Sequence, residues 1–128
     1  MKTSTKDTGN KGEDEASSYL KSQGHSIVAR NWRFSHLEID IITIKDNVLH
    51  FVEVKSRTAP AAADPGLNVD RNKRRHMEKA ASAFLASGLM RSLPVHDPEI
   101  FFDIVTVVFE GDGYTLEYYP QAFIPIYA

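Results

Sequence analysis

The chain has 128 residues, no cysteine and a formal net charge of −2, with 42% hydrophobic and 25% charged residues. That is the size of one domain with its own core and the make-up of an ordinary soluble globular protein. It excludes a disulfide framework and a thiolate metal site, and no apolar run approaches the roughly 18 residues of a membrane span. No hydrophobic signal region opens the sequence, so a cytoplasmic protein without a membrane partner is expected.

In chain order, residues 1–10 are polar and aperiodic and read as a disordered tail, leaving 11–128 as a single domain. A first helix is expected over Gly12–Gln23, burying Ala16, Tyr19 and Leu20 and ending at Gly24. Ile27–Ala29 reads as a short strand, followed by Asn31-Trp32-Arg33, a turn with a core tryptophan. A hairpin follows, Glu38–Ile42 and Phe51–Lys55, pivoting on Asp46-Asn47, residues that tolerate the positive φ such turns need. Residues 58–68, with two prolines and a glycine, read as a mobile loop. A second helix over Asp70–Ser87 places Met77, Ala80, Ala81, Phe84 and Leu85 on its apolar stripe. A strand at Ile100–Phe109, a turn at Gly111-Asp112-Gly113, a strand at Tyr114–Tyr119 and an apolar tail complete the chain. This order argues an α/β fold, a mixed sheet flanked by helices.

The informative residues lie in the hairpin. If Asp46 and Asn47 form the loop, Lys45 pairs with Val48, Ile44 with Leu49 and, continuing outward, Asp40 with Glu53. Two carboxylates directly opposed repel unless something neutralises them, and a bound cation would do so. Mg²⁺ takes hard oxygen ligands, typically one or two carboxylates with water and substrate phosphate. Asp40 and Glu53 supply such ligands, and Lys55 is placed to orient a water or stabilise charge developing on a phosphate. The alternative is a salt-bridge patch on a solvated sheet face, but the flanking Ile39, Ile41, Val52 and Val54 mark central strands, which seldom carry exposed charge.

Glu13 shares a helix face with Ala16 and Leu20 and should point toward the sheet; otherwise it complements the helix dipole. Asp103, inside an apolar strand, needs a partner such as a backbone group, Arg30 or Arg33. The segment Arg71–Lys79 holds six basic residues, counting His76, and is either a solvated face or a phosphate-binding surface, with Lys73 and Arg74 its leading members and Arg33 and Arg57 further candidates. The five histidines have no metal-ligand spacing.

Glu38-Ile39-Asp40-Ile41-Ile42, then Phe51-Val52-Glu53-Val54-Lys55-Ser56-Arg57, resembles the signature of the YraN-type family of uncharacterised bacterial proteins. The match extends to Gly12-Glu13, Arg30-Asn31-Trp32-Arg33, Val69 with Lys73, Phe102-Asp103-Ile104-Val105 and Ala122-Phe123. Leu37 departs from the family's glycine before the Glu-Ile-Asp run, and Phe101 from its arginine before Phe-Asp. That family is in turn similar to Holliday-junction resolvases of the PD-(D/E)XK nuclease superfamily. The resemblance implies a restriction-endonuclease-like core, with Asp40, Glu53 and Glu13 as ligands for Mg²⁺ or Mn²⁺ and Lys55 completing the catalytic set. The expectation is therefore a metal-dependent endonuclease acting on DNA, including branched or repair intermediates, and working as a homodimer. The rival is a non-catalytic nucleic-acid-binding or repair accessory protein that keeps the fold.

Overall fold

A computed structural model describes residues 5–60 and 70–124, with side chains from Thr8 onward. The elements run α1 (Thr5–Ser22), β1 (Ser26–Phe34), β2 (Leu37–Lys45), β3 (Val48–Thr58), α2 (Arg71–Leu85), α3 (Gly88–Arg91), β4 (Glu99–Glu110) and β5 (Gly113–Phe123). The five strands form one sheet in the order β1-β2-β3-β4-β5. β1, β2 and β3 meander antiparallel, β4 lies parallel to β3 across the α2 crossover, and β5 returns antiparallel.

The helices cover opposite faces. From α1, Ala16 and Leu20 pack on Ile41, Val52, Val105 and Val107. From α2, Met77, Ala80, Ala81 and Phe84 pack on Ile42, Leu49, Phe51 and Phe102. Phe51 and Val52 thus serve different cores, as strand alternation requires. The architecture is the expected mixed sheet flanked by helices, and it is consistent with a restriction-endonuclease-like core.

The hairpin register is as the turn chemistry implied. Asp46 and Asn47 have φ of 51° and 60°, and the pairs Lys45–Val48, Ile44–Leu49 and Ile41–Val52 follow. Trp32 is only partly buried and packs against the α2 core, its ring edge-on to Phe84 at 5.4 Å.

Several boundaries differ from expectation. α1 starts at Thr5, within the stretch read as a tail, because Thr8 is buried with its hydroxyl 3.5 Å from that of Thr58. β1 continues to Phe34, so Asn31 lies mid-strand and not in a turn. β5 runs past Pro120 to Phe123, which stacks on Phe102 in the core. Proline is tolerated there because β5 is an edge strand. α2 stops at Leu85, and Gly88 opens α3 with Ser87 as its N-cap. The expected loop at 58–68 falls largely on residues 61–69, which lie outside the described residues.

Candidate active site

The acidic site forms where the sheet loses its regularity. Counting outward from the two-residue turn, the backbone-bonded pairs after Lys45–Val48 are Thr43–His50 and Ile41–Val52, so the next would be Ile39–Val54. That pairing is not made. The Val54 N–H instead donates to Asp40 Oδ2 at 2.8 Å, so the aspartate side chain replaces a backbone acceptor. Across from Asp40 on β1, between the pairs Arg30–Ile41 and Trp32–Ile39, Asn31 adopts a left-handed φ of 52°. Alternation breaks there: Ile39 joins the α2 core while Ile41, two residues on, joins the α1 core. Asparagine is one of the few residue types that take this conformation readily.

Glu53 meets Asp40 at this break, close enough for the two carboxyls to act on one another directly. Burial and the neighbouring Asp40 charge push the Glu53 carboxyl up to about 8, although Lys73 opposes the shift. Burial likewise raises Asp40, against the pull of the Val54 N–H. Both carboxyls are therefore poor anions when left to themselves.

Glu13 approaches from α1. Its side chain is only 15% exposed, and burial followed by the Asp40 charge raises its pKa. Gly12 permits this approach: a Cβ at that position would stand 1.7 Å from Ser56 Oγ on β3. Arg30 pairs with Asp14 at 2.9 Å and reaches no nearer than 3.9 Å to Glu13. No protein hydrogen bond satisfies the buried Glu13 Oε1 or Glu53 Oε2. Orphaned oxygens of this kind are uncommon, because a buried acceptor without a donor costs about 1–3 kcal/mol.

Lys55 shares the strand face of Glu53. Burial lowers its pKa, while Glu53 and the α2 cap residue Asp70 act in the opposite direction. Lys73, in the first turn of α2, reaches Glu53 Oε1 at 3.1 Å. The helix is fixed there by Asp70, whose side chain accepts from the Lys73 N–H at 2.8 Å.

The structure thus brings together Glu13, Asp40, Glu53 and Lys55, and adds Lys73, which the sequence placed only on a basic flank. The other cations are dispersed. Arg33 pairs with Glu38 at 3.2 Å on the surface, Arg57 is exposed near the end of β3, and Arg74 lies 5.2 Å over the Phe123 ring. Beside Arg33, at the tip of the β1–β2 turn, Phe34 is 54% exposed. No sequence signal singled it out, since an aromatic at a strand end usually packs inward.

The donor set suits a hard divalent cation. Asp40 and Glu53 lie side by side, the backbone carbonyl of Val54 follows Glu53, and two buried carboxylate oxygens, on Glu13 and Glu53, accept no hydrogen bond. Among the described residues no three His, Asp or Glu side chains form a ready-made cage, so water and phosphate would complete the shell.

The model of the uncharacterised protein family UPF0102 matches residues 12–107. The chain belongs to UPF0102. This is the YraN-type family that the hairpin signature resembles. A UPF0102 protein of Nitratidesulfovibrio vulgaris (strain DP4) is 40% identical over 116 residues, covering 91% of this chain and 83% of that one. One from Bacteroides thetaiotaomicron is 37% identical, covering 91% and 92%, and one from Leptospira interrogans is 46% identical, covering 63% and 70%. No helix among the described residues is long and apolar enough to cross a membrane.

Proposed function

We propose that this UPF0102 chain is a metal-dependent endonuclease that hydrolyses phosphodiester bonds in DNA. The observation that carries the reading is the pair of part-buried carboxyls, Asp40 and Glu53, meeting where the β2–β3 ladder breaks, with an oxygen of Glu53 left without a donor. Mg²⁺ or Mn²⁺ held there would polarise the phosphoryl oxygen and lower the pKa of a bound water. Asp40 is oriented by the Val54 N–H, and Glu53 by its neighbours Asp40 and Lys73. Lys55, on the same strand face as Glu53, positions the attacking water and stabilises charge developing on the phosphate. Glu13 closes the site from α1.

Arg33, Arg57 and Arg74, at separate places on the surface, would each contact phosphates without reading sequence. The exposed Phe34 beside Arg33 offers a face on which an unpaired base can stack, which favours branched or partly single-stranded DNA. Two copies acting together would suit cleavage of paired strands.

The test is to incubate the protein with branched, duplex and single-stranded DNA in Mg²⁺ or Mn²⁺. Cleavage is expected, and it should be lost in Asp40→Asn and reduced at least about 100-fold in Lys55→Ala. Cleavage undiminished in either variant would overturn the residue roles. Salt-dependent binding without cleavage would assign the chain the non-catalytic role.

A further inference from the structure

The start of α2 is an unfavourable place for the charges it carries. Arg71, Lys73, Arg74 and Arg75 follow the cap, with no acidic residue in the first turn. Aligned peptide dipoles already leave positive potential at a helix N-terminus, so cations there are penalised. What offsets this for Lys73 is Glu53, whose Oε1 lies 3.1 Å from the ammonium. The two side chains differ in depth, Glu53 being 12% exposed and Lys73 41%. The ammonium therefore reaches a buried carboxylate from the solvent side, on a flexible four-carbon stem that can swing away without disturbing the core. Lys73 also answers only one of the two Glu53 oxygens, since Oε2 has no donor.

Resting on the metal-dependent reading of this site, we propose that Lys73 is a resident counter-ion of Glu53 which a divalent cation displaces, so that metal entry releases the ammonium to bind phosphate. An ammonium at Glu53 Oε1 and a dication on the same carboxylate repel at close range. Their occupancies are therefore mutually exclusive or strongly competitive. In the metal-free chain Lys73 holds Glu53 oriented. With the cation in place Lys73 moves outward toward the basic surface, where a phosphate is its nearest available partner. Metal binding and DNA binding then reinforce each other through one side chain, and linkage requires the effect to be reciprocal.

The competition has a sign that a purely structural tether does not share. In Mn²⁺ calorimetry on the full chain without DNA, Lys73→Met should bind Mn²⁺ about tenfold more tightly than wild type. Lys73→Arg, whose planar fork holds a carboxylate more firmly, should bind it more weakly. Duplex DNA binding, measured at constant ionic strength, should be strengthened by Ca²⁺ severalfold more in wild type than in Lys73→Met.

Equal or weaker Mn²⁺ binding by a folded Lys73→Met would overturn the proposal, as would tighter binding by Lys73→Arg. Should Lys73→Met fail to fold, the Lys73→Arg arm still decides. If neither wild type nor any Lys73 variant takes up Mn²⁺, the metal reading of the site fails and this inference with it. If all bind equally, the metal reading stands and only the role of Lys73 is lost.

Discussion

Two acids in this sheet, Asp103 fully buried and Asp40 partly so, sit at broken ladders, and their surroundings could hardly be more different. Asp40 accepts the Val54 N–H where β2 and β3 part. Asp103 accepts the Gln121 N–H at 2.9 Å, opposite the irregularity that interrupts the β4–β5 register. In each case a side-chain oxygen stands in for a missing backbone acceptor.

Beyond that the two diverge. The second oxygen of Asp103 receives both His50 Nδ1 and the Tyr118 hydroxyl at 2.5 Å, and the adjoining His25 is bonded to Thr43 at 2.6 Å. Asp40 instead faces Glu53, another acid, and orphaned oxygens lie nearby. A closed network with its lone pairs answered holds structure together, whereas an open one with unanswered carboxylates costs stability and awaits a cation.

Substitutions should separate the two most sharply. Asp103→Ala removes the acceptor of three donors at a fully buried site and is expected to cost about 3–5 kcal/mol in denaturant unfolding. Asp40→Asn, which keeps the shape of the side chain, should be neutral or stabilising in the metal-free chain, because it removes carboxylate repulsion. Comparable large losses in both would erase the distinction.

Next in size is Gly12→Ala, which brings a Cβ to 1.7 Å from Ser56 Oγ. It should cost about 1–3 kcal/mol by overpacking and shift Glu13 out of place. Pairing it with Ser56→Ala removes that hydroxyl and should recover part of the loss; no recovery would mean that α1 is held elsewhere.

The pH dependence should show the two clusters pulling in opposite directions. Glu53 titrates at about 8 in the folded chain against an ordinary value of 4.5, so stability falls as pH rises between those values. His25 is lowered by burial from 6.5 to about 4, so stability also falls as pH drops through that range. Above 6.5 the Glu53 effect acts without opposition from His25, with a slope of at most about 1.4 kcal/mol per pH unit. Glu53→Gln should flatten that limb and leave the acid limb intact.

The smallest effect on stability belongs to Phe34→Ala, within about 0.5 kcal/mol for an exposed position. Its consequence should appear in filter-binding assays, as several-fold weaker binding to single-stranded or branched DNA with duplex binding little changed.

Much of the open site was legible in the sequence, because a two-residue turn with Asp and Asn sets the register and strand alternation then places Glu53 and Lys55 on one face. The break at Asp40 was not legible, since it depends on the left-handed conformation of Asn31 in a neighbouring strand. Nor was the Lys73–Glu53 pair, which arises from how α2 docks and has no sequence spacing. The closed network was hidden for the same reason: His25 and His50 come within 4.6 Å only after β1, β2 and β3 align. Asp103 was recognisable as an acid needing a partner, but its partners lie on β3 and β5 and not among the arginines considered. The extension of β5 was masked by Pro120, which an edge strand accommodates.

The most direct test of the open carboxylate site is thermal unfolding with and without saturating Mn²⁺. Ligand at about 100 times its Kd should stabilise wild type by about 2.7 kcal/mol, while Asp40→Asn and Glu53→Gln show no metal-dependent shift. An equal shift in those variants, or none in wild type, would contradict the account.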